Sequence, residues 1–138
     1  MALLEKFLVI KHSTIPGAGK GLFSKQFIAK GTRIVEYKGH ATTWELAQQQ
    51  KDFNGYVYYI KDELVIDAKN YYTTFGRYAN DANGITKLKK TTNNSRYIVD
   101  GKRVFIEATK NIEAGNEILV SYGKEYWDVV RYNKRLGY

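Results

Sequence analysis

Asn116–Trp127, NEILVSYGKEYW, is the stretch on which the reading of this chain turns. It opens as an alternating strand, with Ile118, Val120 and Tyr122 on one face and Leu119 and Ser121 on the other. Gly123 breaks the alternation, and Tyr122, Tyr126 and Trp127 crowd the break. Taken alone, an aromatic cluster just past a strand end reads as a core plug or a hairpin lid.

The composition sets the bounds for the rest. At 138 residues the chain has the length of one domain, residues 1–138, and can bury a core. Its 43% hydrophobic and 26% charged residues suit an ordinary globule rather than a disordered chain. No apolar run approaches the ~20 residues of a membrane span, so no membrane partner is expected. The start, MALLEKFLVIKH, is interrupted by Glu5 and Lys6 and has no basic leader, so no secretory signal is expected and an intracellular location fits best. The absence of cysteine rules out disulfides and thiolate ligands, and two isolated histidines, His12 and His40, argue against a metal site. A net charge of +8 favours an acidic partner, or one bound to nucleic acid. The basic residues are scattered, with one denser run at Lys87, Lys89 and Lys90. The 12 tyrosines suit a wall of amphipathic rings around a cleft.

In chain order, Phe7–Lys11 reads as a first strand, and Ser13–Gly21, STIPGAGKG, as a loop holding the only proline. Glycines at 17, 19 and 21 make either a hairpin turn or a place where backbone approaches a ligand closely. GLFSKQFIAKGTRIVEYKG carries a strand, a turn at Lys30-Gly31 and a second strand, Thr32–Tyr37. Strict alternation there puts Arg33, Val35 and Tyr37 on one face and Ile34 and Glu36 on the other. Thr43–Asp52 is the one convincing helix, capped by Thr43 and helped by Glu45 in its first turn. Tyr56–Ala68 predicts a hairpin turning at Lys61-Asp62-Glu63. Tyr97–Gly101 and Arg103–Ala108 predict another across Asp100-Gly101.

Three of these pieces, GAGKGLF (17–23), GRYAND (76–81) and Glu117–Gly123, together resemble the SET-domain family of protein-lysine methyltransferases. The resemblance spans about residues 6–127 and leaves 128–138 as a tail without the cysteines of a zinc-bound segment. It implies a mainly β fold, a SET-type β-clip of several small sheets with one short helix. A knot-like crossing near the C-terminus would pack the Asn80 segment against the Tyr122 segment.

The family's closing E(I/L)xxxYG segment supplies the catalytic tyrosine, a role that falls here on Tyr122. S-adenosyl-L-methionine would be held by Gly19, Lys20, Gly21, Arg77, Tyr78, Asn80, Asp81, Tyr122 and Trp127. Tyr37, Tyr56, Tyr97, Val120 and Tyr126 would line the channel for the substrate lysine. One departure stands out: the family reads RFINHSxxPN, whereas this chain has Asp81 where the histidine stands and Ala82 for the serine. If contacts there are mainly backbone, Asp81→His leaves cofactor binding equal or better. After an insert, Gly84–Thr92, Asn94 is the best match to the family's second asparagine.

The implied reaction is methyl transfer from S-adenosyl-L-methionine to the ε-amine of a lysine in a protein, histone-like or otherwise basic. Nucleic acid would enter only indirectly, and a homodimer is left open. Two alternatives remain: a SET-like domain without turnover that binds peptide or cofactor, and a small basic β domain using its lysine run and tyrosines on nucleic acid.

Overall fold

The computed structural model describes residues 3–49, 55–82 and 92–123. The end of the expected helix (50–52), most of the insert with its lysine run (84–91), Tyr126, Trp127 and the tail lie outside the described residues. Among the described residues, nine strands form three antiparallel three-stranded sheets.

In the first sheet, β1 (Leu8–His12) pairs with β2 (Lys20–Ser24) from Leu8 opposite Ser24 to His12 opposite Lys20. The turn-rich segment read as a loop joins them across residues 13–19. On its other edge β2 pairs with β9 (Glu117–Ile118), which makes it the central strand and leaves Gly21–Ser24 buried.

The second sheet has the order β3-β8-β7, with β3 at Arg33–Glu36, β7 at Ser95–Asp100 and β8 at Arg103–Ala108. The β7–β8 hairpin turns at Gly101-Lys102, with Asp100 opposite Arg103, one residue beyond the predicted dipeptide. Here the strict alternation of β3 fails. A bulge between Arg33 and Val35 turns both Ile34 (0% exposed) and Val35 (2%) inward.

The third sheet has β4 (His40–Thr42) and β5 (Val57–Lys61) flanking β6 (Leu64–Asp67). Lys61 faces Leu64 across the turn, close to the expected hairpin. Between β4 and β5 sits helix α1 (Trp44–Ala47), only four residues long, with the Thr43 hydroxyl accepting from Leu46 N–H as its cap. None of its residues is buried, so packing does little to extend it.

The decisive segment runs between parts of the chain far apart in sequence. After two residues of ladder, Leu119 bridges to Asn80 and Val120 to Ser95, both in parallel orientation. Val120 N–H donates to Asn80 O at 2.8 Å, and the amides of Asn94 and Ser95 both donate to Leu119 O at 3.0 Å. The Asn94 side chain completes the grip, accepting from Leu119 N–H and donating to Glu117 O at 2.9 Å each. This is the expected crossing.

The alternation read in the segment sorts its side chains as anticipated. Ile118 and Val120 enter the main core with Leu8, Leu22, Ile34 and Ile106, and Tyr122 packs at its rim. Leu119 points the other way, into a small cluster with Ile15 and Ala82. The chain then turns at Gly123, whose φ is +89°.

Because Ile118 is wholly buried where three segments meet, Ile118→Ala is expected to cost about 2–5 kcal/mol. Val99→Ala, at an exposed strand position, should cost about 1 kcal/mol or less. Urea unfolding of both variants measures the contrast.

Candidate active site

A cavity of about 520 Å³ opens where the 13–19 loop, the start of β5, the Gly76–Tyr78 turn and β7 approach the end of the crossing segment. Its volume lies in the usual range for a small-molecule pocket. Nine of the residues singled out in the sequence line it. Gly19, Lys20 and Asn80 stand on one side, Arg77, Tyr78 and Tyr56 on another, and Tyr37, Tyr97 and Tyr122 form an aromatic wall.

The wall is a connected set of rings. Tyr97 stacks on Tyr122, with centroids 6.4 Å apart and planes 25° from parallel. It meets Tyr37 edge-on at 5.8 Å. Tyr58, which the sequence reading missed, packs on Tyr97 at 4.9 Å and on Tyr37 at 6.4 Å. Starting from Tyr56, which the resemblance singled out, a period of two carries the same face to Tyr58.

Such tilted and offset contacts hold the rings rigidly. Two hydroxyls are tied to backbone as well: Tyr37 donates to Tyr56 O, and Tyr122 donates to Ala79 O. Burial pushes the Tyr58 phenol above its ordinary value, so it stays neutral through neutral and mildly alkaline pH.

Arg77, also in the lining, is 8% exposed. Its Nη1 donates to Ala68 O at 3.1 Å and to Lys69 O at 2.8 Å. Its guanidinium sits 4.0 Å from the Tyr56 ring centroid, with Tyr72 at 4.8 Å and Tyr78 at 5.2 Å. Tyr56 therefore serves the arginine side more than the ring wall. The ion pairs among the described residues go to Arg33, Arg96 and Arg103 instead. Arg77 Nε is buried and has no hydrogen-bond partner among the described residues. With carbonyls and ring faces around it and no ion pair among the described residues, Arg77 keeps positive charge at this part of the cavity lining.

Asn80 joins the loop to the crossing. Its Nδ2 donates to Lys20 O at 2.9 Å and reaches Glu117 Oε2 at 3.4 Å. Glu117, given no role of its own in the sequence analysis, is 5% exposed and accepts from Ser13 and Thr14 as well. Its one advance signal was its place at the head of the family's closing motif.

Three expected site residues do not line the cavity, and each placement has a physical reason. Gly21 lies within β2, facing Glu117: a Cβ there would come 2.3 Å from Oε2, so the glycine makes room for a carboxylate. Val120 is wholly buried because the parallel bridge to Ser95 turns it into the main core. Asp81, 4% exposed, sits beneath the site, where Oδ2 accepts from Tyr122 N–H at 2.8 Å and Oδ1 from Asn93 Nδ2 at 2.9 Å. Asn93 Oδ1 in turn accepts from Ala82 N–H at 2.8 Å.

Asp81 thus works through its side chain, which changes the expectation for Asp81→His. A neutral imidazole has one acceptor nitrogen for these two donors, and the stranded donor should cost about 1–3 kcal/mol. Chemical denaturation measures this, and an unchanged midpoint would contradict the assignment.

Comparison with known proteins gives a consistent picture. The SET domain family model matches residues 19–123. Among solved structures, the fold is similar to the methyltransferase domain of human PR domain-containing protein 2, with a TM-score of 0.60 and 20% sequence identity, over 85% of this chain and 77% of that one. A sequence search of curated proteins found no match. Matched over most of its length and built on the same arrangement of small sheets, the chain belongs to the SET-domain family.

Proposed function

We propose that this SET domain transfers a methyl group from S-adenosyl-L-methionine to the ε-amine of a lysine presented by a protein. The observation that carries the reading is one cavity with two chemically different sides: a cationic, glycine-bearing side and a wall of tyrosines ending at Tyr122.

The first side suits the cofactor. Gly19, at φ +73°, has open space where a Cβ would stand, and Lys20 and Arg77 offer positive charge to a carboxylate. The Tyr56 and Tyr78 rings beside Arg77 can stack on a purine.

The second side suits an alkyl stem ending in an amine, since tyrosine rings pack against methylenes and attract ammonium groups through their faces. When bound, the cofactor supplies a methyl on a sulfonium: the S–C bond breaks as the N–C bond forms, a neutral thioether leaves, and the amine gives one proton to water.

The chain's own residues favour the neutral amine this requires. Free lysine titrates near pH ~10.4, and burial or nearby positive charge lowers that value. The tyrosine wall supplies the low polarity. No carboxylate or imidazole lines the cavity among the described residues, so catalysis here rests on alignment. With its proton committed to Ala79 O, the Tyr122 hydroxyl meets the cavity as an acceptor, able to take weak C–H···O contacts from a polarised methyl.

Calorimetry with S-adenosyl-L-methionine and label transfer to lysine-bearing proteins test the proposal. Tyr122→Phe keeps the ring but removes the oxygen, so turnover should fall about a hundredfold or more while cofactor binding changes much less. A normal rate with a lowered melting temperature would make Tyr122 a plug. Tyr97 narrows the wall between Tyr37, Tyr58 and Tyr122, which favours mono- or dimethylation. Tyr97→Phe should raise the degree, as read by mass spectrometry of the product, and trimethylation by the native protein would reverse this.

A further inference from the structure

Glu117 is a buried acidic group outside the cavity, bonded to Asn80, which lines it, and to the root of the loop that ends in Gly19 and Lys20. Its Oε2 accepts from Ser13 Oγ at 2.7 Å and lies 3.4 Å from Asn80 Nδ2. Its Oε1 accepts from Thr14 N–H at 2.9 Å and from Thr14 Oγ1 at 2.6 Å. Ser13 and Thr14 are the root of the loop whose far end, Gly19 and Lys20, walls the cavity.

The loop is closed on itself at that root. Ser13 N–H donates to Gly19 O at 2.8 Å, and Ser13 Oγ accepts from Ile15 N–H at 3.0 Å. Ser13 is thus bonded at once to the carboxylate, to the next turn of the loop and to the residue that reaches the cavity. Asn80 Nδ2 ties the same carboxylate to Lys20 O. Gly21 leaves the space the carboxylate occupies.

We infer that Glu117 is a positioning residue: its carboxylate sets the shape of the 13–20 loop and the aim of the Asn80 amide, and through them the cofactor side of the cavity. The inference rests on the reading of that side as the cofactor site. Glutamine replaces it only in part: with its oxygen turned to Thr14 N–H, its NH₂ faces the Asn80 Nδ2 donor, and Ser13 Oγ must turn from donating to accepting. Gly21→Ala should have the same effect with the carboxylate intact, since the added methyl and Oε2 cannot share the space.

The test uses the full chain and two readouts. Amide hydrogen exchange without cofactor reports the loop directly, and calorimetry well below the melting temperature reports S-adenosyl-L-methionine binding. In Glu117→Gln and in Gly21→Ala, exchange at residues 14–19 should quicken about tenfold or more while the β7–β8 hairpin keeps its protection. The dissociation constant should rise about tenfold or more, with the kinetic loss falling on KM for the cofactor rather than on kcat. Should these variants fail to fold, Thr14→Val, which removes a single hydroxyl donor, should show the same two changes at smaller size.

Unchanged exchange would overturn the inference. So would quicker exchange with a native dissociation constant, which leaves Glu117 a purely structural pin. If the native protein binds no S-adenosyl-L-methionine, the proposed function and the cofactor half of this inference both fall. The exchange result identifies that case, because it needs no ligand.

Discussion

Glu117–Val120 is buried backbone of which only Glu117–Ile118 lies in a sheet, and the rest of the structure depends on satisfying it. Residues 117–120 are each at most 5% exposed. Buried amides and carbonyls must find partners, and a two-residue ladder supplies few. The remainder come from Asn80, Asp81, Asn94 and Ser95. The polar residues around the crossing are there because irregular backbone in a core needs side-chain amides and carboxylates where a sheet would need only a neighbouring strand.

That constraint also locates the cavity. Gripping the segment up to Tyr122 N–H delivers the Tyr122 ring against Tyr97 and its hydroxyl to Ala79 O. The same grip brings Asn80 beside Lys20, so one side of the pocket is built from loop and asparagine while the other is built from rings. Tyrosine suits such a wall because its ring packs and its hydroxyl can be pinned to backbone, as at Tyr37 and Tyr122. The pinned rings lose little freedom when something enters between them.

The departure from the family pattern at residue 81 makes sense within this grip. A carboxylate has acceptor capacity for two donors, and Asp81 uses it on Tyr122 N–H and Asn93 Nδ2. Asn93 then passes the chain of bonds on to Ala82 N–H. The substitution sits under the cavity and leaves Asn80 where the motif has it, so the pocket wall keeps its pattern while the support beneath it is rebuilt.

Much of this was legible in the sequence wherever the physics is local. The turns at Asp62-Glu63 and Gly101-Lys102, the Thr43 cap and the face-by-face sorting of Ile118, Leu119 and Val120 follow from turn chemistry, capping and a period of two. The family motifs added the nine cavity residues, since order and spacing carry them. What tertiary structure alone decided are the places where the partner is remote. The Arg33–Val35 bulge breaks an alternation that nothing nearby disturbs. Val120 is drawn from channel to core by Ser95, and Asp81 is claimed by Tyr122 and Asn93. Glu117 takes its donors from 103 and 104 residues away, and Gly21 is required by a carboxylate that reaches it only in the folded chain. A residue's neighbours in sequence set its backbone, but whether a buried charge is satisfied depends on groups that only the completed fold brings within hydrogen-bond distance.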